Sequence, residues 1–323
     1  MRKNVLAAAV AATMMAPMAQ AISLVDTEES KVDMYGRLVL AVETFKDGDA
    51  DTSQFSDLGS RIGFKLNHEL GNGLTAYGNV EFRFDANERT EEDVFNDLRN
   101  SYVGVKGAFG DVRVGNFDSV YFTHVTSVFD VPENVGYVTL DAGGTYSRGN
   151  SIAYSTSFAG LNLAVQAKHQ ARDEETGAQK VNISAAASYT MDIFTLGVGY
   201  HQDKDRVDGG TDDEILGASI TAALADNVSV YAMAETQRKN KDIYALGASI
   251  GYGKGDVYTQ VALEDVRTGE GAENSLGRVE NLFTYMVGAN YFFTSKFYVF
   301  GEVFGTDETG DDYVVTAGAR LNF

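Results

Sequence analysis

Gly247-Ala248-Ser249-Ile250-Gly251 spells the G-x-S-x-G pattern that elsewhere carries a nucleophilic serine. That chemistry needs the serine on a sharp turn between a strand and a helix, with its hydroxyl standing clear. Here the five residues sit inside a run that alternates by twos, so Ser249 is one position on a strand face. Asp47-Gly48-Asp49-Ala50-Asp51 opens like a calcium loop, but position six is Thr52 and position twelve is Leu58. A calcium loop needs glycine and glutamate there, which leaves room only for loose divalent binding at acidic loops. His68, His124, His169 and His201 have no metal-binding spacing, and the chain has no cysteine. No glycine loop opens a helix to cradle phosphate. The residues therefore predict no metal site, no cofactor and no enzyme.

The remaining polar chemistry is a recurring charge on alternate residues. In Leu74–Asp85, the residues Leu74, Ala76, Gly78, Val80, Phe82 and Phe84 line one face; Thr75, Tyr77, Asn79, Glu81, Arg83 and Asp85 line the other. That is a strand with one apolar and one charged side. Sixteen such stretches fill the chain: 32–43, 58–69, 74–85, 98–107, 111–117, 150–156, 161–169, 180–189, 194–201, 213–223, 227–235, 242–252, 256–264, 281–292, 296–304 and 312–323. Their connections alternate in length. Gly71-Asn72-Gly73, Ala108-Phe109-Gly110, Ser157–Gly160, Met191-Asp192-Ile193, Ala225-Asp226, Gly253-Lys254-Gly255 and Phe293-Thr294-Ser295 are tight hairpins. The others are longer and acidic, the longest running from Asp118 to about Gly149. Antiparallel strands joined this way gather every short turn at one end of the sheet and every long loop at the other.

Composition sets the surroundings. Arg2 and Lys3, an apolar run from Val5 to Met15 and Ala19-Gln20-Ala21 form the pattern of a cleaved secretory leader, residues 1–21. Removing Arg2 and Lys3 leaves 24 basic against 46 acidic side chains, a net of −22. Such acidity argues against a nucleic-acid partner. Beyond the leader only one proline remains, Pro132, among 34 glycines in the whole chain, which suits a chain that is nearly all sheet. Past residue 21 no stretch of 18 apolar residues occurs, but a membrane-crossing strand needs only about 9–11 residues. In hydrocarbon an open sheet edge would leave several unpaired backbone groups, so sixteen strands must close. The expectation is an all-β, sixteen-stranded antiparallel transmembrane barrel over 22–323, with short periplasmic turns and long outer loops.

A barrel of this size leaves a wet interior. An arginine or lysine at mid-height on the lipid side costs about 2–4 kcal/mol, so the charged faces locate the lumen. Arg37, Glu43, Arg61, Lys65 and Arg320 then point inward, with Glu81 and Arg83, while aromatic residues of outward parity form interfacial girdles. The final stretch Tyr313–Phe323 is the closing strand, pairing with 32–43, and Phe323 faces lipid and headgroups.

Several segments resemble the trimeric general porins of Gram-negative outer membranes: Lys31–Leu38, Ser60–Phe82, Arg99–Tyr121, Asn150–Gln166 and the terminal Phe323. The resemblance implies that the loop 118–149 folds inward and narrows the channel. It carries Asp130 and Glu133 to the acidic side of the constriction, and Arg37, Arg61, Arg99 and Arg148 to the basic wall. Asn134-Val135 replaces the usual Phe-Gly after Glu133, so the loop's path departs from the pattern. The resemblance further implies a homotrimer among lipid and lipopolysaccharide, exported to the outer membrane. It also implies an assembly signal at Phe323 read by the barrel-assembly machinery. The function expected is size-limited diffusion of small hydrophilic solutes and ions, with a modest cation preference from the net charge. A substrate-specific channel, with Tyr121, Phe122 and Tyr137 as a sugar track, and a barrel adhesin stay open as alternatives.

Overall fold

The computed structural model describes residues 21–47, 50–87, 95, 97–140, 149–169, 181–203, 213–238, 240–267, 273–274, 280–307 and 313–323. The expected leader, except Ala21, and Arg148 lie outside the described residues. In chain order the strands are β1 Ile22–Asp26, β2 Ser30–Asp47, β3 Ala50–Asp57, β4 Arg61–Gly71, β5 Leu74–Arg83 and β6 Asp97–Gly107. Then come β7 Gly110–Asn116, β8 Ser151–Phe158, β9 Leu161–His169, β10 Val181–Met191, β11 Phe194–Asp203 and β12 Asp213–Ala225. The last six are β13 Val228–Gln237, β14 Lys241–Gly251, β15 Asp256–Val266, β16 Leu282–Phe292, β17 Phe297–Thr306 and β18 Tyr313–Asn322.

β2 and β4 to β18 form a closed antiparallel ring of sixteen strands, matching the sixteen stretches read from the sequence. Closure is made by β18 on β2, from Tyr313 opposite Lys46 to Asn322 opposite Arg37. One residue further, Gly36 and Phe323 exchange both backbone hydrogen bonds, at 2.9 and 3.0 Å. Among the described residues, no helix is long and apolar enough to cross a membrane.

Two strands lie outside the expected set. β2 is longer than the bilayer requires, and only its lower half, Ser30–Arg37, pairs with β4. Its upper half would carry an unpaired edge. The segment 50–57, read from sequence as acidic loop, turns back to fill that edge, pairing Leu40 with Asp57 through Asp47 with Ala50. At the other end, β1 pairs with Lys31–Met34 of β2 and continues the lane that β18 vacates.

The wall is inside out relative to a soluble protein. On β16, Leu282, Thr284 and Met286 are buried toward the interior, whereas Phe283, Tyr285 and Val287 are exposed. Across the barrel, Leu163, Val198, Leu216, Leu246 and Val257 are exposed, and Gln166, Ser184, Thr221, Glu264 and Glu302 are buried. An apolar exposed face with a polar inner face is the pattern of a barrel solvated by lipid. Exposed aromatic residues cluster at strand ends, among them Phe158, Tyr189, Tyr252, Tyr291, Phe293 and Phe297. Tyr35 and Tyr102, in contrast, turn inward: Tyr35 donates to Asn79 Oδ1 at 2.9 Å, and Tyr102 stacks edge-on against Phe117.

The short turns use backbone that only particular residues adopt easily. Asn72 and Gly73 have φ of 54° and 73°, the two left-handed residues of a tight hairpin that matches strand twist. Glycines inside strands have a different task, which is to make space. Tyr35 stands directly opposite Gly63, Tyr77 opposite Gly104, Tyr231 opposite Gly247 and Tyr258 opposite Gly288. In each pair a Cβ on the glycine would fall 2.2–2.5 Å from the tyrosine ring. Each ring therefore lies flat on its neighbour's backbone, shielding the glycine and pinning the register. Phe323 does the same at the closure, where a Cβ on Gly36 would sit 2.5 Å from its ring. Replacing Gly36→Val should displace that ring and destabilise the folded barrel by about 1–3 kcal/mol. Urea unfolding of the refolded protein in detergent measures this, and a midpoint equal to wild type would contradict it.

Candidate functional site

The inner wall and the loop between β7 and β8 make the site. The loop enters with the Val120 N–H donating to Gln166 Oε1 at 2.9 Å, then makes a π-helical turn at Phe122–Thr126 and a 3-10 turn at Ser127–Phe129. It runs inside the barrel because the wall there has been emptied of side chains. A Cβ on Gly197 would fall 2.0 Å from the His124 carbonyl oxygen, and one on Gly217 2.0 Å from the Tyr121 hydroxyl. Tyr121 and Val125 pack into this trough against Ile215, joined by Leu140 from the returning limb. Both limbs are tied to one carboxylate: Tyr121 OH donates to Glu235 Oε1 at 2.7 Å and the Leu140 N–H to Oε2 at 2.9 Å. Further on, Phe129 meets Tyr231 edge-to-face, and Gln260 Nε2 donates to the Phe129 carbonyl at 2.9 Å.

Further along the wall, the loop tip reaches β17, β18 and β2. The N–H groups of Glu133 and Asn134 donate to Glu302 at 2.7 and 3.1 Å, and Tyr258 OH donates to the same carboxylate at 2.7 Å. Glu133 accepts from Arg320 Nη1 at 3.0 and 3.1 Å and from the Tyr298 hydroxyl. Asn134 Nδ2 donates to Glu43 and Thr316.

The basic side is a register row. Arg37 of β2 stands opposite Arg61 of β4, and Arg61 opposite Arg83 of β5. The guanidinium groups of Arg37 and Arg83 both lie over Gly59, whose added Cβ would be 3.3 Å from one and 3.5 Å from the other. Arg37 is held by backbone carbonyls, donating from Nε to Gly59 at 3.0 Å and from Nη2 to Leu58 at 3.3 Å. Glu81 sits beneath the row, 3.5 Å from Arg61 and 3.0 Å from Arg99, and accepts from Asn100 at 3.1 Å.

Arg99 reaches this place through an irregularity. Val103 on the same strand is exposed to the outside, and strict alternation would turn Arg99 outward as well. The pairing slips by one residue between Glu81 opposite Asn100 and Phe82 opposite Leu98. The bulged residue, Arg99, is thereby re-aimed at Glu81.

The structure thus brings Arg37, Arg61, Arg83, Arg99 and Glu81 together. Glu133 meets this basic side at its end, on Arg320, rather than across the opening. Asp130 ends the 3-10 turn with its side chain exposed to the lumen. Asn134 stood out from the sequence only as a departure from the resembled pattern; Glu235, Glu302 and Gln260, which hold the loop, were not singled out. Their signal was inward parity on charged strands, which marks a wall residue without saying what it holds.

A closed sixteen-stranded barrel with a charged interior and an inward loop is a membrane channel. The chain matches the family described as Gram-negative porin over residues 6–311, and it belongs to that family. A monosaccharide porin of a Halomonas species is 29% identical over 301 residues, covering 82% of this chain and 80% of the relative. Outer membrane porin F of Escherichia coli K12 is 28% identical over 222 residues, 64% of this chain and 60% of the relative. Among solved structures, an anion-selective porin from Comamonas acidovorans shares the fold at TM-score 0.76 and 20% identity, covering 91% of this chain and all of that one. The chain is therefore an outer-membrane porin, and its family is one of channels rather than enzymes.

Glu81 is the carboxylate shared by Arg61 and Arg99. Glu81→Gln should leave both arginines uncompensated and raise anion over cation permeability by a factor of about two. Reversal potential in a potassium chloride gradient reads this, and an unshifted potential would contradict it.

Proposed function

We propose that this porin is a general diffusion channel for small hydrophilic solutes and ions, and that 118–149 is its constriction loop. The observation that carries the reading is a row of arginines on one wall, opposite a loop whose Asp130 is exposed to the lumen. Charges of both signs beside a narrow wet passage let a polar solute trade hydration for fixed partners, while an apolar solute gains nothing for the water it displaces. Arg37, Arg61, Arg83 and Arg99 are assigned to the basic wall, with Arg148 by resemblance; Asp130 and Glu133 are assigned to the acidic side, and Glu81 to the lumen. The net charge of −22 favours a weak cation preference in dilute salt, where fields reach farthest, with the arginine row opposing it. The chain is exported by a leader ending at Ala21 and works as a homotrimer in lipid and lipopolysaccharide. A Vibrio cholerae outer membrane protein of the same fold, 16% identical at TM-score 0.64, is described in a trimer form.

The Halomonas relative raises a sugar-specific reading. It needs free aromatic faces in the passage. Tyr121 is fully buried under the loop, and Phe122 and Tyr137 stack edge-to-face on one another, 6.4 Å between centroids. The general channel is the better fit. Single-channel recording in planar bilayers should give an open pore that glucose does not block in a saturable way. Saturable blockade would favour the specific channel, and absence of conductance would sink both. In dilute potassium chloride gradients the reversal potential should indicate cation preference, and anion preference would overturn it.

Phe323 is assigned as the assembly signal that the barrel-assembly machinery reads. Its deletion should cut the yield of folded trimer in outer membranes several-fold; wild-type yield would remove the role.

A further inference from the structure

Glu302 of β17, Thr316 of β18 and Glu43 of β2 stand in one inward row, Glu302 directly opposite Thr316 and Thr316 directly opposite Glu43. The row crosses the junction of the ring's first and last strands. All three side chains are buried, at 3%, 1% and 5% exposure. What covers them is the loop tip. Glu302 accepts the backbone N–H groups of Glu133 and Asn134, one on each carboxylate oxygen. The amide of Asn134 has two N–H groups, and Nδ2 serves one strand with each. It lies 2.6 Å from Glu43 Oε1 on β2 and 2.8 Å from Thr316 Oγ1 on β18. The second oxygen of Glu43 is taken by Gln54 of β3 at 3.1 Å. Glu133 adds Arg320 on β18 and Tyr298 on β17.

We propose that Asn134, with Glu133, is a positioning residue that staples the first and last strands together from inside the lumen. The loop tip then takes its seat only where β2 and β18 are paired, and the width of the passage is fixed by the same contacts that secure the closure. The row offers two carboxylates and a hydroxyl, all acceptors, to a tip that supplies donors. Buried acceptors left without donors are costly, so an open junction presents the tip with half a site and a closed one with a whole site. The effect on conductance rests on the loop being the constriction; the effect on closure does not.

The test is a double-mutant cycle on the full protein refolded in detergent, using Asn134→Ala and the isosteric Thr316→Val, with urea unfolding and single-channel conductance as readouts. Asn134→Ala should unfold about tenfold more readily, from the loss of two hydrogen bonds. It should also conduct more, with a noisier open level, which a loss of stability alone would not produce. Thr316→Val should have a smaller effect, and the double variant should be little worse than Asn134→Ala. Wild-type unfolding in Asn134→Ala, or full additivity of the two changes, would overturn the staple. If Asn134→Ala fails to fold, Thr316→Val still decides, since wild-type unfolding and open-level noise in that variant would overturn it. If neither wild type nor variant conducts, the channel reading fails while the unfolding cycle still judges the staple.

Discussion

Every backbone N–H and C=O within hydrocarbon must find a partner in the chain itself, because lipid offers none. The rest of the structure follows from that constraint. It forbids a free sheet edge, so β18 must return to β2, and since every pair in the ring is antiparallel its strand number is even. Where β2 runs on past the start of β4, its own hairpin partner β3 fills the edge that would otherwise be unpaired. The lipid setting also inverts the usual order of side chains: Val198 and Leu246 face outward because the outside is oil, and Glu264 and Glu302 face inward because the inside is wet.

The interior then has to spend its charges. In a soluble core, a carboxylate such as Glu235 or Glu302 would be an anomaly to be explained by catalysis or metal binding. Here each one receives backbone N–H donors from an irregular segment that could not otherwise satisfy them. Each also accepts from a tyrosine hydroxyl, from Tyr121 of the loop on Glu235 and from Tyr258 of the wall on Glu302. The acids act largely as sockets for the loop. Arg37 and Arg83 lie over Gly59, and Arg37, held by carbonyl oxygens rather than by a carboxylate, keeps its charge available to the passage. The electrostatics of the channel is therefore what remains after the loop has been fastened.

The barrel was legible in the sequence because its signals are local and repeated. Period-two alternation, tight turns such as Asn72-Gly73 and acidic loops at every second connection leave one topology once edges are forbidden. Arg37, Arg61 and Arg83 were legible by parity. Arg99 was not accessible to parity alone, since it depends on a one-residue slip in the pairing of β5 with β6. The hairpin β3 was hidden because its acidic composition reads as loop, and only the vacant edge of β2 makes it a strand. The loop's anchors were hidden for another reason: Asn134 and Glu302 lie 168 residues apart, and no local pattern tells which inward glutamate meets which loop residue.

Ile22 lies opposite Met34 and Phe323 opposite Gly36, so the two described ends of the barrel occupy the same edge of β2, one directly below the other. The polypeptide is in that sense almost a circle with a nick. A linker of a few residues could join the ends, and the chain could be reopened at an outer loop as a circular permutant without moving a strand. Such a molecule would keep the ring and the passage while burying its terminal phenylalanine in the middle of the chain. It would separate the stability of the closed ring from any part that a free terminal phenylalanine plays in assembly.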